Sequence, residues 1–162
     1  MKNPVIKILI VTLTIIFNLN VFANTSDWKV SSAGENKVLQ MRLTSSTEGT
    51  VGLKEIPIAL EVTTNPGWKI YWRYPGDSGL PTEINFNGSS NVKNLQIFWP
   101  APFRFSTFGI DTFGYEGRII LPIYVIPEIV NEMINLKTQI SLLACNEMCI
   151  PFQEEISLQA SR

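Results

Sequence analysis

Four stretches of this chain alternate apolar and polar residues with period two, and this alternation restricts the fold more than any other feature. Leu39, Met41 and Leu43 alternate with Gln40, Arg42 and Thr44. Ile56, Ile58, Leu60 and Val62 alternate in the next stretch. Leu136, Thr138, Ile140 and Leu142 alternate with Lys137, Gln139 and Ser141, and Ile156 and Leu158 with Glu155, Ser157 and Gln159. Successive side chains of a strand point to opposite faces, so each stretch reads as a strand with one buried face. Arg118 to Ile126 is apolar on both sides, as in a central strand, whereas Pro57 suggests an edge position for its strand. Asn65-Pro66-Gly67, Tyr74-Pro75-Gly76-Asp77 and Asn87-Gly88-Ser89 supply turn chemistry. The one helical hint is Pro127 to Ile134, so helix should stay under about 15%. About seven or eight short strands separated by turns predict an all-β fold, an immunoglobulin-like antiparallel β-sandwich.

The N-terminus is different in kind. Lys2 and Lys7 precede an apolar run from Ile8 to Phe17, and Val21-Phe22-Ala23 follows. A charged start, a short apolar run and a small-residue site make a secretory signal peptide over residues 1–23, with cleavage after Ala23. The apolar run is about half the length of a membrane span. The mature domain is then residues 24–162, with 11 Lys+Arg against 14 Asp+Glu and a net charge of −3. This balance speaks against nucleic acid and against an anionic membrane surface, and no stable membrane insertion is expected after cleavage.

The chain has no histidine, which excludes Ser-His-Asp and Cys-His nucleophile chemistry. No metal site or cofactor is expected, since two cysteines alone make a poor metal site. Those two, Cys145 and Cys149, lie at the end of the strand that starts near Leu136. The strand's alternation puts Cys145 on the face opposite Leu136, Ile140 and Leu142, so the pair should sit near the surface. A disulfide between them cannot bridge two sheets. Its small ring would add only about 2 kcal/mol by chain entropy, against about 3 for a fifteen-residue loop. Redox-active pair, plain structural clip and two free thiols all remain open on spacing alone. Glu147, inside the ring, would raise a thiol pKa, and little near the pair in sequence would lower one.

Two aromatic stretches, residues 66–81 and 98–117, read as loops between Gly and Pro turns. Their rings either fill and cover the sandwich or form a contact surface. The order Pro-Gly-Trp-Lys-x-Tyr-Trp-Arg-x-Pro-Gly-Asp-x-Gly-Leu-Pro at 66–81, Trp-Pro-x-Pro-x-Arg-Phe at 99–105, Gly-Tyr-Glu-Gly at 114–117 and Cys-x-x-x-Cys-Ile-Pro at 145–151 resembles the periplasmic N-terminal domain of DsbD-type thiol–disulfide interchange proteins, including their ScsB-like relatives.

The resemblance implies a periplasmic thiol–disulfide oxidoreductase without a bound cofactor. Such a domain passes reducing equivalents to thioredoxin-like partner proteins, in processes that include cytochrome c maturation. It also implies roles: Cys149 forms the mixed disulfide and Cys145 resolves it. A cap loop, expected at Arg104 to Gly109, shields the pair with Phe105 or Phe108. The best-known family member continues into a membrane domain and a thioredoxin-like domain and spaces its cysteines more widely. The sequence ends at Arg162, so the expectation is a separate membrane electron donor, or a remnant of a larger protein. The alternative function is a secreted β-sandwich binding module with a structural disulfide and aromatic contact loops.

Overall fold

The computed structural model describes residues 23–46 and 54–160. The predicted leader therefore lies outside the described residues except for Ala23. Twelve strands lie within them: β1 (Ala23–Thr25), β2 (Lys29–Ala33), β3 (Asn36–Ser46), β4 (Ile56–Thr64), β5 (Lys69–Gly76), β6 (Glu83–Asn85), β7 (Asn94–Ile97), β8 (Phe103–Thr107), β9 (Ile110–Glu116), β10 (Arg118–Ile126), β11 (Ile134–Cys145) and β12 (Cys149–Ala160). One sheet runs β1-β3-β4-β10-β7, with β2 also on β3; the other runs β12-β11-β5-β9-β8, with β6 also on β11. The pairings are antiparallel. The architecture is the predicted immunoglobulin-like sandwich.

The alternating residues build its interior. Leu39, Met41 and Leu43 of β3 and Ile56, Ile58, Leu60 and Val62 of β4 face Leu136, Ile140 and Leu142 of β11 and Ile156 and Leu158 of β12 in one buried cluster. Ile119, Leu121, Ile123 and Val125 of β10 complete it. Burying each such side chain contributes about 1.5–3 kcal/mol.

Three sequence expectations need correction. The described residues hold twelve strands and not seven or eight, in part because β5, β8 and β9 lie in the aromatic stretches read as loops. Pro57 does not mark an edge: β4 is flanked by β3 and β10. The β3–β4 ladder ends at Ser45↔Ile58, one residue short of Pro57, so the missing N–H breaks no rung there. β10 is central as expected, between β4 and β7, although its outer face is open, with Ile120 and Tyr124 exposed. The helical hint at Pro127 to Ile134 is a turn segment leading into β11, and the described residues contain no helix. Asn91 explains this: its Nδ2 donates to the carbonyls of Ile129 and Glu132, and its Oδ1 accepts from the Ile129 N–H. A side chain that satisfies these backbone groups removes the need for helical hydrogen bonds.

Candidate functional site

β11 and β12 form a hairpin with twelve register pairs, and the last pair before the turn is Cys145↔Cys149. The two are joined by a disulfide, with Cα atoms 4.1 Å apart. Asn146, Glu147 and Met148 make the turn, closed by the Asn146 N–H donating to the Met148 carbonyl at 2.9 Å. The bond therefore links neighbouring strands of one sheet at its end and does not cross the core. Strand parity puts Cys145 on the outer face, as expected. Its burial was not expected: Cys145 is only 2% exposed, whereas Cys149 is exposed.

Two loops stand beside the pair: Ser78 of one and Phe108 and Ile110 of the other line a cavity with both cysteines. The first follows β5, where Tyr71 also points outward yet is 7% exposed. Gly79 lies so close over Tyr71 that a Cβ there would come within 2.5 Å of the ring. Its φ of +98° also favours glycine. The Thr82 hydroxyl donates to the Tyr71 carbonyl. Asp77 fastens the loop to β9: its N–H donates to the Asp111 carbonyl at 2.9 Å, and its carboxylate accepts from the Asp111 N–H at 3.3 Å. This loop is the Pro-Gly-Asp-x-Gly-Leu-Pro segment of the sequence.

The second loop is the turn of the β8–β9 hairpin. Thr107 pairs with Ile110, leaving Phe108 and Gly109 as its two turn residues. Both have positive φ, +53° and +79°, the combination of a type I′ turn. Arg104 and Asp111 pair across the hairpin. The hydrogen bond from Arg104, with another from Ser106, holds the Asp111 carboxyl below its usual range. The hairpin is the segment predicted as a cap loop. Phe108 is fully exposed at its tip and lines one wall of a cavity of about 220 Å³. Cys145, Cys149, Tyr71, Ile110 and Lys69 also line this cavity. Phe105 is half-buried farther back, with the Lys69 ammonium 4.8 Å from its ring centre.

Sequence reasoning found no cation near the pair. Lys69 is that cation, and it is remote in sequence: β5 lies beside β11, with Lys69↔Cys145 as a register pair. Its presence in the Pro-Gly-Trp-Lys stretch was visible, but its proximity depends on which strands become neighbours. The remaining motif pieces also meet here. The Tyr115 hydroxyl donates to the Pro100 carbonyl at 2.8 Å, and burial pushes its pKa up to about 12. The Gly67 N–H donates to the Glu116 carboxylate at 3.3 Å. A Cβ on Gly114 would fall 2.2 Å from the Ile70 carbonyl, so β5 and β9 could not approach as they do with any larger residue there.

Residues 28–161 match the family model described as thiol:disulfide interchange protein DsbD, N-terminal. Among solved structures, the N-terminal periplasmic domain of ScsB from Proteus mirabilis is similar, with 31% sequence identity and a TM-score of 0.63. The match covers 84% of this chain and 51% of that one, so the chain spans about half the length of its relative. No curated protein sequence matches the chain. Among the described residues no helix is long and apolar enough to cross a membrane.

Proposed function

The chain belongs to the family of DsbD N-terminal domains, which are thiol–disulfide interchange domains, and from that premise we propose that Cys145 and Cys149 are its redox pair and carry reducing equivalents to thioredoxin-like proteins. The observation that carries this reading is the unequal exposure of the two bonded sulfurs' residues. Cys149 is exposed, and Cys145 is buried. An attacking thiolate must approach a disulfide sulfur in line. Only Cys149 offers such an approach to a bulky partner, so Cys149 takes part in the mixed disulfide and Cys145 resolves it. Phe108 is the better candidate for the shielding residue, because it and not Phe105 lines the cavity with both cysteines. The domain acts in the periplasm after removal of residues 1–23, and a membrane electron donor supplies its electrons. The β-sandwich redox domain is residues 24–162.

Single-cysteine variants test the reading. Offered thioredoxin-like proteins, Cys145→Ala should accumulate a stable mixed disulfide at Cys149, and Cys149→Ala should trap far less. Equal trapping by the two would overturn the assignment of roles. No trapping by either folded variant would favour a binding module with a structural clip.

A further inference from the structure

A resolving cysteine must be a thiolate when it attacks, and burial disfavours this charged form. Cys145 is 2% exposed, so the proposed exchange needs a nearby positive charge. The charged and titratable groups around it can be taken element by element. β12 offers Cys149, and the turn offers Glu147, which is exposed. β9 offers Asp111, engaged by Arg104 of β8, and Glu116, the register partner of Lys69 on its other side, whose carboxylate accepts from the Gly67 N–H. The loop after β5 offers Asp77, bonded to the Asp111 backbone. β5 itself offers Tyr71 and Lys69. Lys69 is the register partner of Cys145, lines the cavity that holds both cysteines, and makes no carboxylate ion pair among the described residues. Directly opposed residues in neighbouring strands place their side chains on one face, with Cβ atoms about 5 Å apart. The rings of Phe105 at 4.8 Å and Tyr71 at 5.8 Å hold the ammonium on that face.

We propose that Lys69 is a positioning residue that stabilises the Cys145 thiolate for the resolving step, an inference that rests on the proposed redox role of the pair. In that step the Cys145 thiolate attacks Sγ of Cys149 in the mixed disulfide. The Cys145–Cys149 bond forms, the bond to the partner breaks, and the electron pair leaves on the partner's sulfur, which takes a proton from water. The two thiols of this protein end as a disulfide, and the partner's disulfide ends as two thiols. Lys69 supplies charge and is unchanged.

The test uses the Cys149→Ala protein, whose sole thiol is Cys145, and follows thiolate ultraviolet absorbance against pH. Lys69→Met should raise the titration midpoint by about one pH unit, the size expected for losing an opposite charge at this range. Lys69→Arg should restore it, which a purely structural role would not do. Lys69→Gln is a second neutral variant should the Met variant fold poorly, and it should shift the midpoint in the same direction. With both cysteines present, reduced protein given oxidised glutathione should release glutathione from its mixed disulfide about tenfold more slowly at neutral pH in the neutral variants. An unchanged midpoint in folded Lys69→Met or Lys69→Gln overturns the inference, even if exchange with thioredoxin-like proteins proceeds. A shifted midpoint supports the Lys69 coupling, even if that exchange fails and the functional reading falls.

Discussion

At the scale of single residues, Phe108 is placed where its own backbone preference argues against it. Its φ of +53° lies in the left-handed region, which costs an L-residue with a bulky side chain about 1–2 kcal/mol. Its ring is fully exposed, so packing does not compensate within the domain. An unfavourable residue kept at the mouth of a cavity that contains both cysteines is consistent with a shielding role. Phe108→Asn should therefore hold or raise stability by up to about 1 kcal/mol, because Asn tolerates this conformation. The same change should speed alkylation of the reduced pair by a small reagent. Phe105→Ala should behave differently, losing stability through its partial burial and its contact with Lys69. Urea unfolding and alkylation rates of the two variants decide the matter. If Phe108→Asn leaves alkylation unchanged, Phe108 is not the shield.

At the scale of an element, the outer face of the first sheet contains one carboxylate held by two neighbouring strands. Glu61 of β4 accepts hydrogen bonds from Arg42 of β3 at 3.0 Å and from Arg118 of β10 at 2.7 Å. Its side chain is 11% exposed. Burial pushes its pKa up, but the two guanidinium hydrogen bonds outweigh this and hold it below the usual 4.5. A carboxyl with a lowered folded pKa adds stability that is fully present above the unfolded value and is lost as pH falls through the folded one. Glu61→Gln should therefore lower stability by about 1 kcal/mol at neutral pH, since both arginines keep solvent contact. The deficit should shrink as pH falls below the ordinary Glu value. Urea midpoints of variant and parent protein across that range provide the measurement. A deficit that does not depend on pH would mean that the ion pairs contribute nothing.

At the scale of the whole molecule, the disulfide is a minor part of what holds the sandwich together. It closes the end of a hairpin already paired along its length and packed on the buried cluster. Replacing both cysteines by alanine should cost about 2 kcal/mol by the chain-entropy estimate. Urea unfolding should still be cooperative, with the far-UV spectrum of a β-protein. A double variant that does not fold would show that the pair is a structural clip. The N-terminal prediction also belongs at this scale: the exported protein should begin at Asn24 on N-terminal sequencing, and Met1 on a membrane-bound form would show an uncleaved anchor.

The long core strands were legible because alternation is local, whereas β5, β8 and β9, in stretches read as loops, were not. Leu136, Thr138, Ile140 and Leu142 point one way by the pleat alone, and all four are buried in the structure. The turn glycines and the position of both cysteines at a strand end were equally readable, and the ordered motifs carried the family resemblance. Features that depend on which strands become neighbours were not legible. Pro57 looked like an edge residue because its missing N–H is local information, whereas the end of the β3–β4 ladder is not. Cys145 looked superficial because parity gives a face but not what covers it. Ser78, Phe108 and Ile110, all distant in sequence, line the cavity beside it. Lys69 had no visible relation to the cysteines until antiparallel pairing of β5 with β11 set it opposite Cys145. The sequence alone determined the long core strands, the class of fold and the identity of the two sulfurs, because side-chain alternation and residue chemistry act over a few residues. Only the tertiary structure decided which sulfur is exposed and which charge stands beside it, because burial and electrostatics depend on distances through space.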